Sequence, residues 1–416
     1  MEKRRVVVTG LGAFTPIGHN VEESWQAIME GKCGIAPISH FDTTNFKTKL
    51  AAEIKDYDPS LYFDKKEVKK MDAFIQYGLI AAREAVEDAK LDQMTFDHER
   101  FGVVVSSGIG GIGSIETNFE KGEKRGFDRV SPFFIPMTIS NLAAGQIAIA
   151  HDARGLCTCP VTACAGGTNA IGDAFRNIRD GYEDVMIAGG CEAAITRLSI
   201  GGFTSMKALS DATDENRASI PFDQERHGFV MGEGAGMLVL EEYNHALQRG
   251  AHIYCEMVGY GVSCDAHHIT APLEGGIGGA KAMQRALDDA QIQADDIDYI
   301  NAHGTSTHLN DLGETQAIKH VFGKHAYQLA VSSTKGNTGH CLGAAGGIEG
   351  VFSVKALSTS FIPPTINYRV KDEECDLDIV PNQGRYQKLH YVMSNSLGFG
   401  GHNASIIFKE VQDGTR

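Results

Sequence analysis

Four short segments carry residues able to do covalent chemistry, and each lies among small residues. The first is Val161-Thr162-Ala163-Cys164-Ala165-Gly166-Gly167. Its small residues permit a sharp turn from strand into buried helix. A thiol at a helix N-terminus faces the positive end of the dipole, so its pKa should fall, making Cys164 the most reactive of the nine cysteines. The second is Asn301-Ala302-His303-Gly304-Thr305-Ser306-Thr307, directly after an apolar strand. Strand ends of this kind are where α/β folds put their chemistry. The third runs from Ser332-Ser333-Thr334-Lys335 to Gly339-His340. A buried Lys335 ammonium would need a carboxylate, and Glu349 is the nearest in sequence. The fourth is Asn395-Ser396-Leu397-Gly398-Phe399-Gly400-Gly401-His402-Asn403. Its glycines free the backbone to aim an N–H at an oxyanion, and Phe399 between two of them could move as a flap. One cysteine and two histidines at strand-to-helix turns point to one site.

The elements that must hold these groups are legible as alternating patterns. Short runs apolar on both faces recur at 5–9, 101–106, 184–188, 237–240, 297–301, 329–332 and 391–394, with helical patterns such as 73–89 and 279–290 between them. The alternation predicts α/β layers with strands covered on both sides. A weak repeat runs through it. Ala163-Cys164-Ala165-Gly166-Gly167 opens a helix to about residue 179, then a strand and a glycine turn. Gly343-Ala344-Ala345-Gly346-Gly347 opens another to about 357, again followed by a strand and a glycine turn. The spacing predicts duplicated halves, 1–250 and 251–416, meeting near Gly250-Ala251 and sharing a large interface.

Composition bounds the possibilities. A chain of 416 residues buries about three quarters of its surface, enough for a core without disulfides or metals. Hydrophobic residues at 42% and charged residues at 22% are ordinary for globular proteins. The net charge of −15 argues against a general nucleic-acid binder, which needs excess cation. Forty-eight glycines with only eleven prolines suggest many close backbone approaches, not a linker. Nine scattered cysteines do not form a disulfide framework and suit a reducing compartment. The basic and apolar start, MEKRRVVVTG, stops at Thr9-Gly10 with no cleavage signature, and no apolar stretch reaches membrane-spanning length. We therefore expect a soluble, cytoplasmic protein.

Together the four segments resemble the signature of the thiolase-fold condensing enzymes, in particular the chain-elongating β-ketoacyl-acyl-carrier-protein synthases. The resemblance covers essentially the whole chain. It extends to Val8-Thr9-Gly10-Leu11-Gly12, Gly108-Ile109-Gly110-Gly111, Pro221-Phe222-Asp223, Gly232-Glu233-Gly234 and Pro363-Pro364-Thr365-Ile366-Asn367. It implies a thiolase-like duplicated α-β-α-β-α layered fold. It implies a ping-pong condensation in which Cys164 is acylated and a malonyl thioester then loses carbon dioxide and attacks. It implies that the N–H groups of Cys164 and Phe399 form an oxyanion hole, and that His303 and His340 hydrogen-bond the malonyl thioester oxygen. Lys335 would fix local charge, with Glu349 as its partner. Thr270, Thr305 and Thr307 would line the malonyl side, Phe399 would gate the acyl pocket, and Ile109 would stand at its floor. The motifs assign proton handling to neither imidazole over the other.

The implied partners are an acyl-carrier protein, its malonyl form and a second copy of the chain. No metal or cofactor belongs to the enzyme itself, because the phosphopantetheine arm arrives on the carrier; neither nucleic acid nor membrane is a partner. Against a net negative chain, Lys65, Lys66, Lys69 and Lys70 form a basic stripe on a helical turn, and Lys124, Arg125 and Arg129 form a second cluster. Both are candidate docking sites for an acidic carrier, with Lys207 a third position. The sequence departs from the family pattern at His308, Ile220 and Gly336-Asn337, and Cys157 and Cys159 lie unusually close to the nucleophile. Rival readings are weaker. Gly108-Ile109-Gly110-Gly111-Ile112-Gly113 fits a dinucleotide fingerprint but lacks the acidic residue closing a second strand. Cys157, Cys159 and Cys164 suit no common zinc spacing. An inactive partner subunit would lack the cysteine, a thiolase would carry a second cysteine near Phe399, and initiating synthases pair His with Asn.

Overall fold

The computed structural model describes residues 3–411. Its centre is a ten-stranded sheet. In chain order the strands are β1 (Val6–Phe14), β2 (Phe101–Ser106), β3 (Cys157–Thr158), β4 (Val185–Glu192), β5 (Gly234–Glu242), β6 (Cys255–Cys264), β7 (Tyr299–Asn301), β8 (Ala330–Ser332), β9 (Tyr391–Gly398) and β10 (His402–Lys409). In space they run β8-β7-β9-β10-β6-β1-β5-β4-β2-β3. Counted within each half, both runs read third, second, fourth, fifth, first. The pairings repeat as well. β2 is parallel to β3 and β4, as β7 is to β8 and β9. The next two pairs in each half are antiparallel. β1 joins β6 through Val6–Val8 opposite Met257–Cys255. The pattern starts again between β5 and β6, the stretch that holds Gly250.

Six helices complete the layers: α1 (Ala73–Asp88), α2 (Leu142–His151), α3 (Gly166–Arg179), α4 (Ile277–Ala290), α5 (His308–Phe322) and α6 (Ala345–Thr359). α1 and α2 cover the outer face of the first half, and α4 and α5 that of the second. α3 and α6 lie between the halves and pack on strands of both. This is the expected α-β-α-β-α arrangement. The strands are apolar on both faces because each is covered on both: every residue of β2, β4 and β5 is buried. α1 begins where the Asp72 carboxylate caps Phe74 N–H and ends before Lys90, which turns left-handed at φ +55°.

The repeated glycine pairs explain how the two halves meet. A Cβ on Gly167 would lie 2.6 Å from the Gly347 nitrogen, and one on Gly346 would lie 2.4 Å from the Thr168 nitrogen. Only glycine lets the first turns of α3 and α6 approach this closely. β6 and β10 gave no signal in the sequence patterns. Cys255-Glu256-Met257-Val258-Gly259-Tyr260-Gly261 mixes charge and glycine, and β10 opens on His402-Asn403, so neither reads as a buried run.

Candidate active site

The functional segments sit just beyond the C-terminal ends of strands: Ile109 after β2, Cys164 after β3, His303 after β7, Lys335 and His340 after β8, and Phe399 after β9. Parallel pairing within each half brings these ends to one edge, and the central helices turn the two edges toward each other. Cys164 occupies a tight turn, Ala163–Ala165, ahead of α3. Ala163 holds φ +50°, a strained conformation that places the thiol at the end of the strand-to-helix connection. Cys164 is 8% exposed, His303 and His340 2% each, and Lys335 1%. The Cys164 sulfur and a nitrogen of each imidazole all lie within 4.8 Å of one another. The two rings meet edge to face, with centroids 5.2 Å apart.

Backbone contacts hold the imidazoles. The N–H groups of His303 and Gly304 donate to the two Glu314 oxygens, both at 2.8 Å. His340 N–H donates to Val230 O at 2.7 Å, and Gly232 N–H donates to His340 O at 2.9 Å. The Lys335 ammonium is paired with Glu349 and also donates to His303 Nδ1 at 3.5 Å. An ammonium has only protons to offer, so His303 carries its own proton on Nε2. Among the described residues His340 Nδ1 has no hydrogen-bond partner, and no such constraint applies to that ring. Burial, together with the Lys335 charge, holds both imidazoles well below the ordinary histidine range. They are neutral at pH 7. Burial pushes Glu349 up to about 7 against the pull of Lys335, and Glu314 up to about 7 as well.

The thiol departs from expectation. Burial pushes Cys164 up to about 11, outweighing the Lys335 charge and the Phe399 and Cys164 N–H groups that pull it down. The resting sulfur is a thiol, because desolvation of a thiolate costs more here than one helix end returns. Nor is Cys164 the most accessible cysteine; Cys157 and Cys264 are exposed. The two N–H groups aimed at the sulfur are those expected to form an oxyanion hole.

A cavity of about 440 Å³ opens onto this group. Ile109, Phe203, Phe229, Leu342 and Phe399 line it beside Cys164, and Thr270, Thr305, Thr307, His308 and Asn310 line it beyond the histidines. The Thr305 and Thr307 hydroxyls bond each other at 2.9 Å. Phe399 packs 6.3 Å from Phe203, ring to ring.

The sequence model described as "Beta-ketoacyl synthase, N-terminal domain" matches residues 3–246, and its C-terminal counterpart matches 254–369. The chain belongs to the β-ketoacyl synthase family. It is 51% identical over 413 residues to a 3-oxoacyl-[acyl-carrier-protein] synthase 2 of Synechocystis, covering 99% of each chain. It is 50% identical over 411 residues to the protein of that name from Staphylococcus aureus, again covering 99% of each. Among solved structures, a beta-ketoacyl synthase from Burkholderia phymatum superposes with TM-score 0.91 at 34% identity, over 98% of this chain and all of that one. A ketosynthase bound to a hexaketide and to its type II polyketide acyl-carrier protein gives TM-score 0.91 at 36% identity, over 99% of this chain and all of that one.

Within this β-ketoacyl synthase, all the sequence-nominated residues of the reaction centre and its cavity converge. Glu349 stands behind Lys335, out of the cavity. By ligand type, Cys164 with two histidines could also hold a soft cation. The Lys335 ammonium against His303 opposes a cation and keeps Nε2–H pointing outward, which suits an anionic oxygen instead. Of the residues nominated for carrier docking, the two basic clusters lie away from the cavity. The helix at the first cluster is only Lys65–Val68, shorter than the stripe expected; Lys69 follows it, and Lys70 pairs with Glu67 at 2.7 Å. Lys124 and Arg125 end the helix Ile112–Arg125, and Arg129 follows in an exposed turn. The Asp72 carboxylate accepts from Ser114 N and Oγ, at 2.9 and 2.6 Å, which ties the two basic segments together. Lys207 lines the cavity, at φ +57°. No motif pointed to Glu314, whose role appears only when α5 folds back beneath His303.

Proposed function

We propose that this β-ketoacyl synthase is a 3-oxoacyl-acyl-carrier-protein synthase, an acyltransferase that condenses an enzyme-bound acyl group with malonyl-acyl-carrier protein in type II fatty-acid elongation. The observation that carries the reading is the convergence of one thiol, two neutral imidazoles and two backbone N–H groups at one cavity. The names of the relatives about 50% identical support these substrates. A ketosynthase of a dedicated polyketide or lipid pathway is the second reading, favoured by the polyketide neighbour at 36% identity.

In the first stage the Cys164 sulfur attacks the acyl thioester carbonyl. Its proton passes to His340, the ring not tied by Lys335, and from there to the departing phosphopantetheine thiolate. The high thiol pKa fits a sulfur that ionises only with substrate in place. In the second stage the malonyl group loses carbon dioxide. The electron pair of the broken bond forms an enolate, whose oxygen accepts N–H bonds from His303 and His340. The enolate carbon attacks the acyl-Cys164 carbonyl. The N–H groups of Cys164 and Phe399 receive the oxyanion, and its collapse releases the 3-oxoacyl product and the Cys164 thiolate, which takes a proton from solvent. Lys335, held by Glu349, fixes the His303 proton on the side facing substrate. Incubation with acyl-carrier protein should add one acyl mass at Cys164, and malonyl-carrier should then discharge it as 3-oxoacyl product. A Cys164→Ala protein that still makes product would overturn the mechanism.

The same reading takes residues 1–250 as the half with the nucleophile and 251–416 as the half with both histidines. It takes the protein as a cytoplasmic homodimer with no cofactor of its own. β3 is an edge strand whose far side is unpaired among the described residues, and Leu156, Val161 and Ile149 are exposed around it. Such an edge is suited to pairing with a second copy. Among the described residues no helix is long and apolar enough to cross a membrane. A solution mass equal to one chain at micromolar concentration would remove the dimer.

A further inference from the structure

One buried carboxylate near the site has no part in the mechanism above. Glu192, the last residue of β4, is fully buried and has no cationic partner among the described residues. Four neutral donors satisfy it instead. Its Oε2 accepts from Gly108 N–H at 2.7 Å and from Gly343 N–H at 3.0 Å. Its Oε1 accepts from the Ser107 hydroxyl at 3.0 Å and from Ile109 N–H at 3.2 Å. Ser107 Oγ in turn accepts from Gly110 N–H at 3.0 Å. Burial raises the Glu192 pKa against the pull of these bonds, yet every group facing the side chain donates, so the ionised form fits and an amide would not.

The donors come from two separate segments. Ser107, Gly108 and Ile109 follow β2, and Gly108 and Ile109 form the cavity wall beside Cys164; Gly343 follows Leu342, another wall residue, three positions after His340. The segments touch, because a Cβ on Gly343 would lie 2.3 Å from the Gly108 nitrogen. The geometry points to Glu192 as a positioning residue for this reaction: its carboxylate sets the Ile109 wall and the turn after His340 against each other, and so sets the acyl lengths that Cys164 accepts. The inference rests on the condensing-enzyme reading. It has an electrostatic side as well. The groups facing the Cys164 thiol are Lys335, which lowers its pKa, Glu192, which raises it, and the neutral His303 and His340. Cys159, Cys191 and Cys341 also feel the Glu192 charge.

The test compares Glu192→Gln, Glu192→Asp and Ser107→Ala with the parent enzyme. Acylation of Cys164 by octanoyl- and palmitoyl-carrier protein is followed by intact mass. Alkylation of Cys164 by iodoacetamide is followed against pH by peptide mass spectrometry. Glu192→Gln should change the octanoyl-to-palmitoyl rate ratio by about fivefold or more, the net worth of roughly one broken hydrogen bond. It should also move the alkylation midpoint to lower pH, since a negative charge is gone. Glu192→Asp and Ser107→Ala keep the charge but loosen the wall, so they should change the ratio and leave the midpoint in place. A purely structural carboxylate would lower thermal stability in all three and move neither readout; unchanged ratios in the folded variants overturn the inference. Should Glu192→Gln not fold, Ser107→Ala decides the ratio alone. If the parent enzyme forms no acyl-Cys164 from any carrier, it is the condensing-enzyme reading that fails.

Discussion

At the scale of single residues, the site is organised by desolvation. A buried thiol near 11 and two imidazoles far below their usual range mean that the sulfur and both rings are uncharged at rest, with the Lys335–Glu349 pair beside them. On these three groups charge appears only with substrate. The rate of Cys164 alkylation should therefore keep rising with pH toward about 11 and show no plateau near 8. Lys335→Ala should move that midpoint higher still, because the Lys335 charge favours the thiolate. The same variant leaves Glu349 buried without its partner and should lose about 3–5 kcal/mol of stability, measured by urea unfolding. His303→Ala and His340→Ala should differ in kind. Both should slow malonyl decarboxylation, by roughly 100-fold or more for loss of one oxyanion donor. Only His340→Ala should also slow the first acyl transfer, seen as a reduced burst of acyl-Cys164. Equal bursts in the two variants would remove the proton-transfer role from His340.

At the scale of elements, the site depends on how closely α3 and α6 approach. Each presents one glycine of its pair to the other, Gly167 from α3 and Gly346 from α6, and Cys164 and His340 stand on the connections that lead into these helices. Gly167→Ala places a methyl 2.6 Å from the Gly347 nitrogen and 3.0 Å from Gly343 O. Backbone cannot give way as a side chain can, so the helices must part. The expected cost is about 1–3 kcal/mol, with a loss of condensation larger than the stability change alone would produce. Differential scanning calorimetry and a turnover assay on the same sample separate the two.

At the scale of the whole molecule, the balance of charge matters. A protein of net −15 repels an acidic carrier except where cations cluster. Lys65, Lys66 and Lys69 are exposed, whereas Lys70 is partly spent on Glu67. Lys65→Glu with Lys69→Glu should raise KM for carrier-bound substrates several-fold and leave kcat nearly unchanged. The effect should shrink between low and physiological salt, as the Debye length falls to about 8 Å. A KM that is unaffected at low salt would take docking away from this cluster.

The chemistry was legible in the chain because it depends on residue type beside small residues. Cys164, His303, Lys335, His340 and Phe399 announce themselves by the turns they sit in, and the repeated glycine pairs disclose the duplication. Strands buried on both faces, such as β2 and β4, read as plain apolar runs. What the chain did not disclose depends on distance between segments remote in sequence. The strands β6 and β10, the Glu314 seat under His303, and the Glu192 clamp all satisfy backbone groups that only tertiary packing brings near. The ionisation of Cys164 belongs to the same class. A helix end is a local property and can be read from sequence, but burial is not, and here burial is the larger of the two.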